Sequence, residues 1–220
     1  MRTLAFRSLR FLAAAVCLLF AAPGARALSF QADFAANTYQ VMAGDTYADL
    51  LAAHLAGTPL ASVSLAGLEG VSAQVSAGVS TDYSIRMTAV LPIAVTGLYA
   101  FQVGADWGRG GVAAILDTDT GTVLDEVVRT DDIWWALDWN NPDVFTTTIA
   151  MTAGSSYTLV WLGFEGCCGG VTTIRFSFEG APFATLDGVE IEPFVVPEPA
   201  AALLTGLGLA ALAGRRRVRR

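Results

Sequence analysis

The middle of this 220-residue chain reads as all-β, an antiparallel β-sandwich or jelly roll with one short helix ahead of most of the strands. Three observations predict it. Short runs rich in Val, Ile, Thr, Tyr and Phe recur along residues 71–179. Turn-prone clusters separate them. Residues 71–79 place an apolar side chain at every odd position, the period of a strand with one buried face. Short strands at this spacing fit a sandwich or jelly roll.

Taken in order, the strands are expected at residues 71–79, 83–91, 97–105, 111–116, 122–128, 144–151, 156–164 and 171–179. Pro92, the run Asp117-Thr118-Asp119-Thr120-Gly121, and Ala153-Gly154-Ser155 supply turns between them. The helix precedes these strands. Asp45 can cap it, Leu51 and Leu55 recur on one side with Ala48 and Ala52, and Gly57 followed by Pro59 stops it. It is expected to cover a sheet edge or an open end of the sandwich. Residues 192–199, with their prolines, read as an extended tether.

Length allows one ordinary domain plus processing segments. The hydrophobic fraction is 54%, but the two most apolar stretches sit at the ends, where targeting signals sit. Charge is distributed unevenly. All 13 basic residues are arginines; four lie in residues 2–26 and five in the last six positions. Only Arg86, Arg109, Arg129 and Arg175 remain between them, against 20 Asp and Glu, a net charge of −16. Such a surface repels a phosphate backbone, so nucleic acid is excluded as a partner. It suits a soluble exported protein, and it offers oxygen ligands for Ca²⁺.

The first 27 residues have three parts: a basic start with Arg2, Arg7 and Arg10, an apolar run over 11–22, and Ala25-Arg26-Ala27 before Leu28. These are the parts of a secretory signal peptide, and the mature chain is expected to begin at Leu28. At the other end, Val196-Pro197-Glu198-Pro199 precedes an apolar stretch over 200–214 and then Arg215, Arg216, Arg217, Arg219 and Arg220. Fifteen helical residues span roughly 22 Å, short of the ~30 Å hydrocarbon core, which suits a transient membrane anchor. The terminal arginines favour the cytoplasmic side. This order resembles the PEP-CTERM sorting signal. The resemblance implies processing by an exosortase-type membrane protease and delivery to the cell surface or an exopolysaccharide matrix. Both ends together divide the chain into three expected segments: signal peptide 1–27, extracellular domain 28–195 and sorting tail 196–220.

The body carries Thr96-Gly97-Leu98-Tyr99-Ala100-Phe101-Gln102-Val103-Gly104-Ala105-Asp106, and later Ala153-Gly154, Tyr157-Thr158-Leu159-Val160 and Phe164-Glu165-Gly166. This pattern is similar to the protective-antigen-type β-sandwich of adhesins and glycan-active proteins. Members that bind sugar through calcium use two adjacent aspartates at the loop corresponding to Asp106. Here the loop reads Asp106-Trp107-Gly108.

Cys167 and Cys168 are adjacent within Glu165-Gly166-Cys167-Cys168-Gly169-Gly170; the third cysteine, Cys17, falls in the signal peptide. In an oxidising compartment such a pair can close a vicinal disulfide, and the flanking glycines free the backbone for it. The Cys-Cys-x-Gly segment resembles the motif of the CCXG family of PEP-CTERM proteins. Three roles stand open: a rigid turn, a flat ligand platform beside aromatic residues, and a redox or metal role.

Residues 131–143 concentrate Trp134, Trp135 and Trp139, three of the five tryptophans, among Asp131, Asp132, Asp138, Asn140 and Asn141. Indole faces stack on sugars while Asp and Asn bond hydroxyls; ordinary packing is the other explanation. Trp107, Trp134, Trp135, Trp139, Asp138 and Asn140 are therefore the candidate glycan contacts. Asp106, Asp117 and Asp119 are the candidate Ca²⁺ ligands, although Gly121 stands where a third oxygen ligand of a calcium loop would be, and a hairpin turn is the simpler role. His54 is the single histidine and reads as a partly exposed helix residue. No triad or His-rich zinc site is legible. These observations favour a non-enzymatic surface or matrix protein that binds the exopolysaccharide or cell envelope. A self-associating structural protein is the alternative, and an enzyme acting through two carboxylates comes third.

Overall fold

The computed structural model describes residues 27–196. Residues 1–26 and 197–220, with most of the expected signal peptide and the expected sorting residues Pro197, Glu198, Pro199 and Arg215 to Arg217, lie outside the described residues. Among the described residues no helix is long and apolar enough to cross a membrane.

Two antiparallel sheets form a sandwich. The first has the order β2-β1-β4-β10-β6-β7, built from β1 (Ser29–Ala36), β2 (Thr58–Leu65), β4 (Tyr83–Pro92), β6 (Gly111–Asp117), β7 (Val123–Arg129) and β10 (Ser156–Glu165). The second runs β12-β11-β5-β9, from β5 (Gly97–Trp107), β9 (Phe145–Met151), β11 (Val171–Phe178) and β12 (Ala184–Thr185). Two short strands extend it: β3 (Val71–Ser72) pairs with the start of β11, and β8 (Ile133–Trp134) pairs with the end of β5.

Between the sheets lies one continuous core, with Tyr83, Ile85, Met87, Tyr99, Phe101, Trp107, Leu159, Trp161, Ile174 and Phe176 buried in it. Each fully buried large side chain contributes about 1.5–3 kcal/mol. An aromatic column crosses the core: Tyr83 meets Trp107 at 5.3 Å, Trp107 meets Trp161 at 6.4 Å, and Trp161 meets Phe145 at 5.0 Å between ring centroids. Gly163 interrupts the bulky β10 because the column needs the space. A Cβ there would fall 2.9 Å from both Trp107 Cδ2 and Trp161 Cζ2.

α1 (Tyr47–Ala56) covers the outer face of the first sheet. Its Tyr47 and Leu50 join Val112, Ala114, Leu116, Val160, Leu162 and Phe164 in a second buried cluster. That second layer explains why six of the seven residues of β6 are buried, where a one-sided strand would alternate. The helix was expected at an edge or an open end, with Leu51, Leu55, Ala48 and Ala52 on its packed side. Its buried face is Tyr47, Leu50 and His54; of the expected residues Leu51 packs partly against the cluster, whereas Ala48 and Ala52 are exposed and Leu55 is 65% exposed. A sequence of Ala and Leu this dense contains more than one apolar stripe, and only the partner sheet selects between them.

The cap also differs. Thr46 is the N-cap and forms a reciprocal capping box with Asp49, whereas Asp45 accepts from Met42 N–H and Tyr39 Oη in the preceding turn. A further correction concerns residues 71–79. Only Val71 and Ser72 are extended; α2 (Ala73–Ala77) follows, closed by Gly78 at φ +69°. The alternating side chains there are small, and Val75 is 88% exposed, so little burial was available to hold a strand. The remaining seven expected strands form within two residues of their expected ends. β1 and β2 were not anticipated. A short helix, α3 (Gly188–Ile191), and one turn of 3₁₀ helix lead to Val196, whose N–H donates to Pro92 O.

Candidate functional site

β5 and β8 create the site by their register. Asp106 pairs with Trp134 and Trp107 with Ile133, so the pleat turns the second pair into the core and the first pair outward. Trp107 is fully buried and its indole N–H donates to Thr172 Oγ1 at 2.7 Å. It is a core residue with no face free for a glycan, which corrects the sequence reading. Trp134 is 63% exposed.

Two hollows adjoin Trp134 and share Asp106. One, of about 550 Å³, is lined by Gln40, Arg109, Asp132, Glu165 and the Cys167–Cys168 pair. The other, of about 440 Å³, is lined by Trp135, Ala136, Leu137 and Val171. The first offers carboxylates and the second apolar surface. Ala136 and Leu137 take φ values of +54° and +60°, and Leu137 is 74% exposed. Two consecutive non-glycine residues in the left-handed region carry backbone strain of the kind that concentrates at functional loops.

Trp134 is held from its backbone. Its N–H donates to Asp143 Oδ2 at 3.0 Å, its carbonyl accepts from Asn141 Nδ2 at 3.2 Å, and Asp143 is ion-paired with Arg129 at 2.8 Å. Next to it, Trp135 lies flat on Gly104, where a Cβ would come 2.2 Å from Trp135 Cε3. Glycine at this position of β5 is therefore required by the loop packed on it. Trp135 is buried; Trp139 leans on it at 4.5 Å and lies under Arg175 at 4.0 Å, away from both hollows. Asp138 accepts from the Asn140 N–H and side-chain amide, so this pair closes the loop and lines neither hollow. Of the six expected glycan contacts, only Trp134 stands exposed in the cleft.

The vicinal disulfide is formed between Cys167 and Cys168, and both residues are exposed at the wall of the first hollow. Cys168 has φ +72° and Gly169 φ +70°, and Gly169 N–H donates to Ser80 O. Behind the ring sits Glu165, only 3% exposed. Its carboxylate accepts from Gly166 N–H at 2.7 Å, Cys167 N–H at 2.9 Å and Gly108 N–H at 3.2 Å. Burial pushes its pKa up, the converging N–H groups pull it back, and the Asp106 charge adds to the rise. Glu165 was not recognised as a site residue from sequence. A glutamate ending an apolar strand immediately before Gly-Cys-Cys was its only signal. Asp106 is also pushed up, first by burial and then by the charge of Asp132.

The candidate calcium ligands do not assemble. Asp117 Oδ1 accepts from Asp119 N–H, Thr120 N–H and Thr120 Oγ1 and closes the β6–β7 hairpin. Beside Asp106 the position of a second aspartate is taken by Trp107, turned into the core, so these residues do not fit the two-carboxylate calcium arrangement. Among the described residues no group of three or more His, Cys, Asp or Glu side chains is placed to hold a metal ion. His54, expected at the surface, is buried with Nδ1 2.8 Å from Ser84 Oγ.

No protein-family model matches the chain, and no curated protein matches it. Solved structures match its fold. The A domain of epithelial adhesin 9 from Candida glabrata, in complex with Galβ1-4GlcNAc, has a TM-score of 0.51 at 11% identity, covering 76% of this chain and 90% of that one. The likeness is one of fold. The same domain with Galβ1-3GlcNAc gives 0.51 at 10% identity over the same shares. A PA14 sugar-binding domain from an RTX adhesin gives 0.47 at 14% identity, over 79% of this chain and 100% of that one.

Proposed function

We propose that this protein is an exported, non-enzymatic cell-surface or exopolysaccharide-matrix protein whose sandwich domain binds carbohydrate around Trp134. The observation that carries the reading is an exposed indole, clamped through its backbone, between a hollow with carboxylates and one with apolar walls. Indole stacks on the apolar face of a sugar ring while Asp106 and Asp132 accept from its hydroxyls. Holding Trp134 in place beforehand lowers the ordering cost of binding. The vicinal disulfide supplies a rigid wall beside it. A fold shared with an adhesin domain solved with a galactosyl disaccharide supports the same reading.

The decisive experiment is co-sedimentation of the purified chain with exopolysaccharide extracted from the cells that make it. Saturable binding, lost in Trp134→Ala with the fold intact, is expected. Absence of saturable binding would overturn the carbohydrate reading. In that case the edge strand β2, paired on one side only and largely exposed, favours self-association, read as concentration-dependent assembly in sedimentation velocity.

Export and sorting rest on the segments at 1–27 and 196–220. Deleting residues 215–220 is expected to leave an unprocessed, membrane-retained form; unchanged size and release would overturn exosortase-type processing.

A further inference from the structure

The four arginines of the described residues are not equivalent. Arg86 pairs with Asp33, Arg109 with Asp82, and Arg129 with Asp131 and Asp143. Arg175, on the outer face of β11, has no carboxylate partner among the described residues, in a body that carries 19 Asp and Glu. Its guanidinium lies over the ring of Trp139 at 4.0 Å and that of Phe183 at 4.7 Å. Nε donates to Gln102 Oε1 at 2.7 Å, and Gln102 Nε2 in turn donates to Thr146 Oγ1 at 3.3 Å. The two Nη groups make no hydrogen bond among the described residues, and neither is sealed from water. The cation is thus fixed by two rings and one amide, with its forked end open.

We propose that Arg175 forms a second binding site, separate from the Trp134 hollows, for a single carboxylate carried on a sugar, that is, a uronic acid residue. A guanidinium fork matches a carboxylate through two parallel charge-assisted hydrogen bonds. The rings against its faces hold the guanidinium in a fixed orientation with the fork presented outward. The surroundings select sugar over peptide. Register places Thr185, Arg175, Gln102 and Thr146 in one row across four strands, so hydroxyl and amide groups flank the cation on both sides. Arg175 itself lies on an interior strand, with β12 and β5 on either side of β11, so a peptide adding as a strand at the sheet edge would not run alongside it. The acidity of the body disfavours a polyanion and leaves a lone carboxylate on an otherwise neutral chain as the fitting ligand.

The test is a titration of the full chain, ¹⁵N-labelled, with methyl β-glucuronide, methyl β-glucoside and N-acetylglutamate, followed at the Trp139 indole N–H and Arg175 Nε–H. Saturable shifts with the glucuronide are expected, at least tenfold weaker with the other two probes. Arg175→Lys keeps the charge over the rings but lacks the fork, and should weaken the glucuronide at least tenfold. Trp134→Ala should leave this site unchanged, which separates its failure from failure of the cleft. No saturable shift, equal response to the glucoside, or unaltered affinity in Arg175→Lys would overturn the proposal. Tighter binding of N-acetylglutamate than of the glucuronide would overturn the sugar assignment.

Discussion

The carboxylate of Glu165, at the end of β10, accepts the N–H of Gly108, at the turn after β5, and so ties the disulfide loop to the strand that carries Asp106. Gly166 and Cys167 donate to the same carboxylate. One buried side chain thereby sets the position of one wall of the cleft.

Glu165→Ala leaves those three N–H groups without their acceptor. These donors can reach water once the acceptor is gone, so each lost hydrogen bond costs about 0.5–1.5 kcal/mol; the unfolding midpoint in urea should fall accordingly, and glycan binding should weaken with it. A variant as stable as the parent would show that water replaces the carboxylate without loss.

Trp134 and Trp107 differ by one strand register and should behave oppositely. Trp134→Ala removes an exposed ring and should change stability by no more than about 0.5 kcal/mol while abolishing binding. Trp107→Ala empties the centre of the aromatic column and should cost about 3–5 kcal/mol. Chemical denaturation of both variants, beside a glycan binding assay for Trp134→Ala, checks the pair.

His54 makes stability depend on acid. Burial is the main cause, with the Arg86 charge second and Asp33 acting against them, and together they bring its pKa down to about 4 from 6.5. The folded state therefore favours the neutral imidazole. Its contribution is complete above pH 6.5 and is lost as pH falls from 6.5 towards 4, on the order of 3 kcal/mol in all. In His54→Gln the fall in melting temperature over that interval should be visibly shallower; an identical acid limb would assign it to the carboxylates.

Reducing Cys167–Cys168 should affect function more than stability. A ring between neighbouring residues restricts the unfolded chain little, about 1 kcal/mol or less. It lines the first hollow, so glycan affinity is expected to drop at least tenfold with a nearly constant unfolding midpoint. Affinity that survives reduction would remove the ring from the site.

Much of this protein was legible in its sequence. Strands 83–91 through 171–179 announced themselves because β-branched and aromatic runs bounded by Gly, Pro and Asp have few other ways to fold, and that spacing gave the sandwich. The adjacent cysteines likewise carried their own geometry, since a bond between neighbours needs no tertiary contact to bring them together. Three things were decided only by the fold. The buried face of α1 depended on which stripe the first sheet accepted. The burial of Trp107 and exposure of Trp134 depended on the pairing of β8 with β5, because shifting a strand by one residue exchanges its faces. Glu165 and Arg175 acquired their environments from partners 57 and 73 residues away, Gly108 and Gln102, and no local pattern encodes a neighbour that distant.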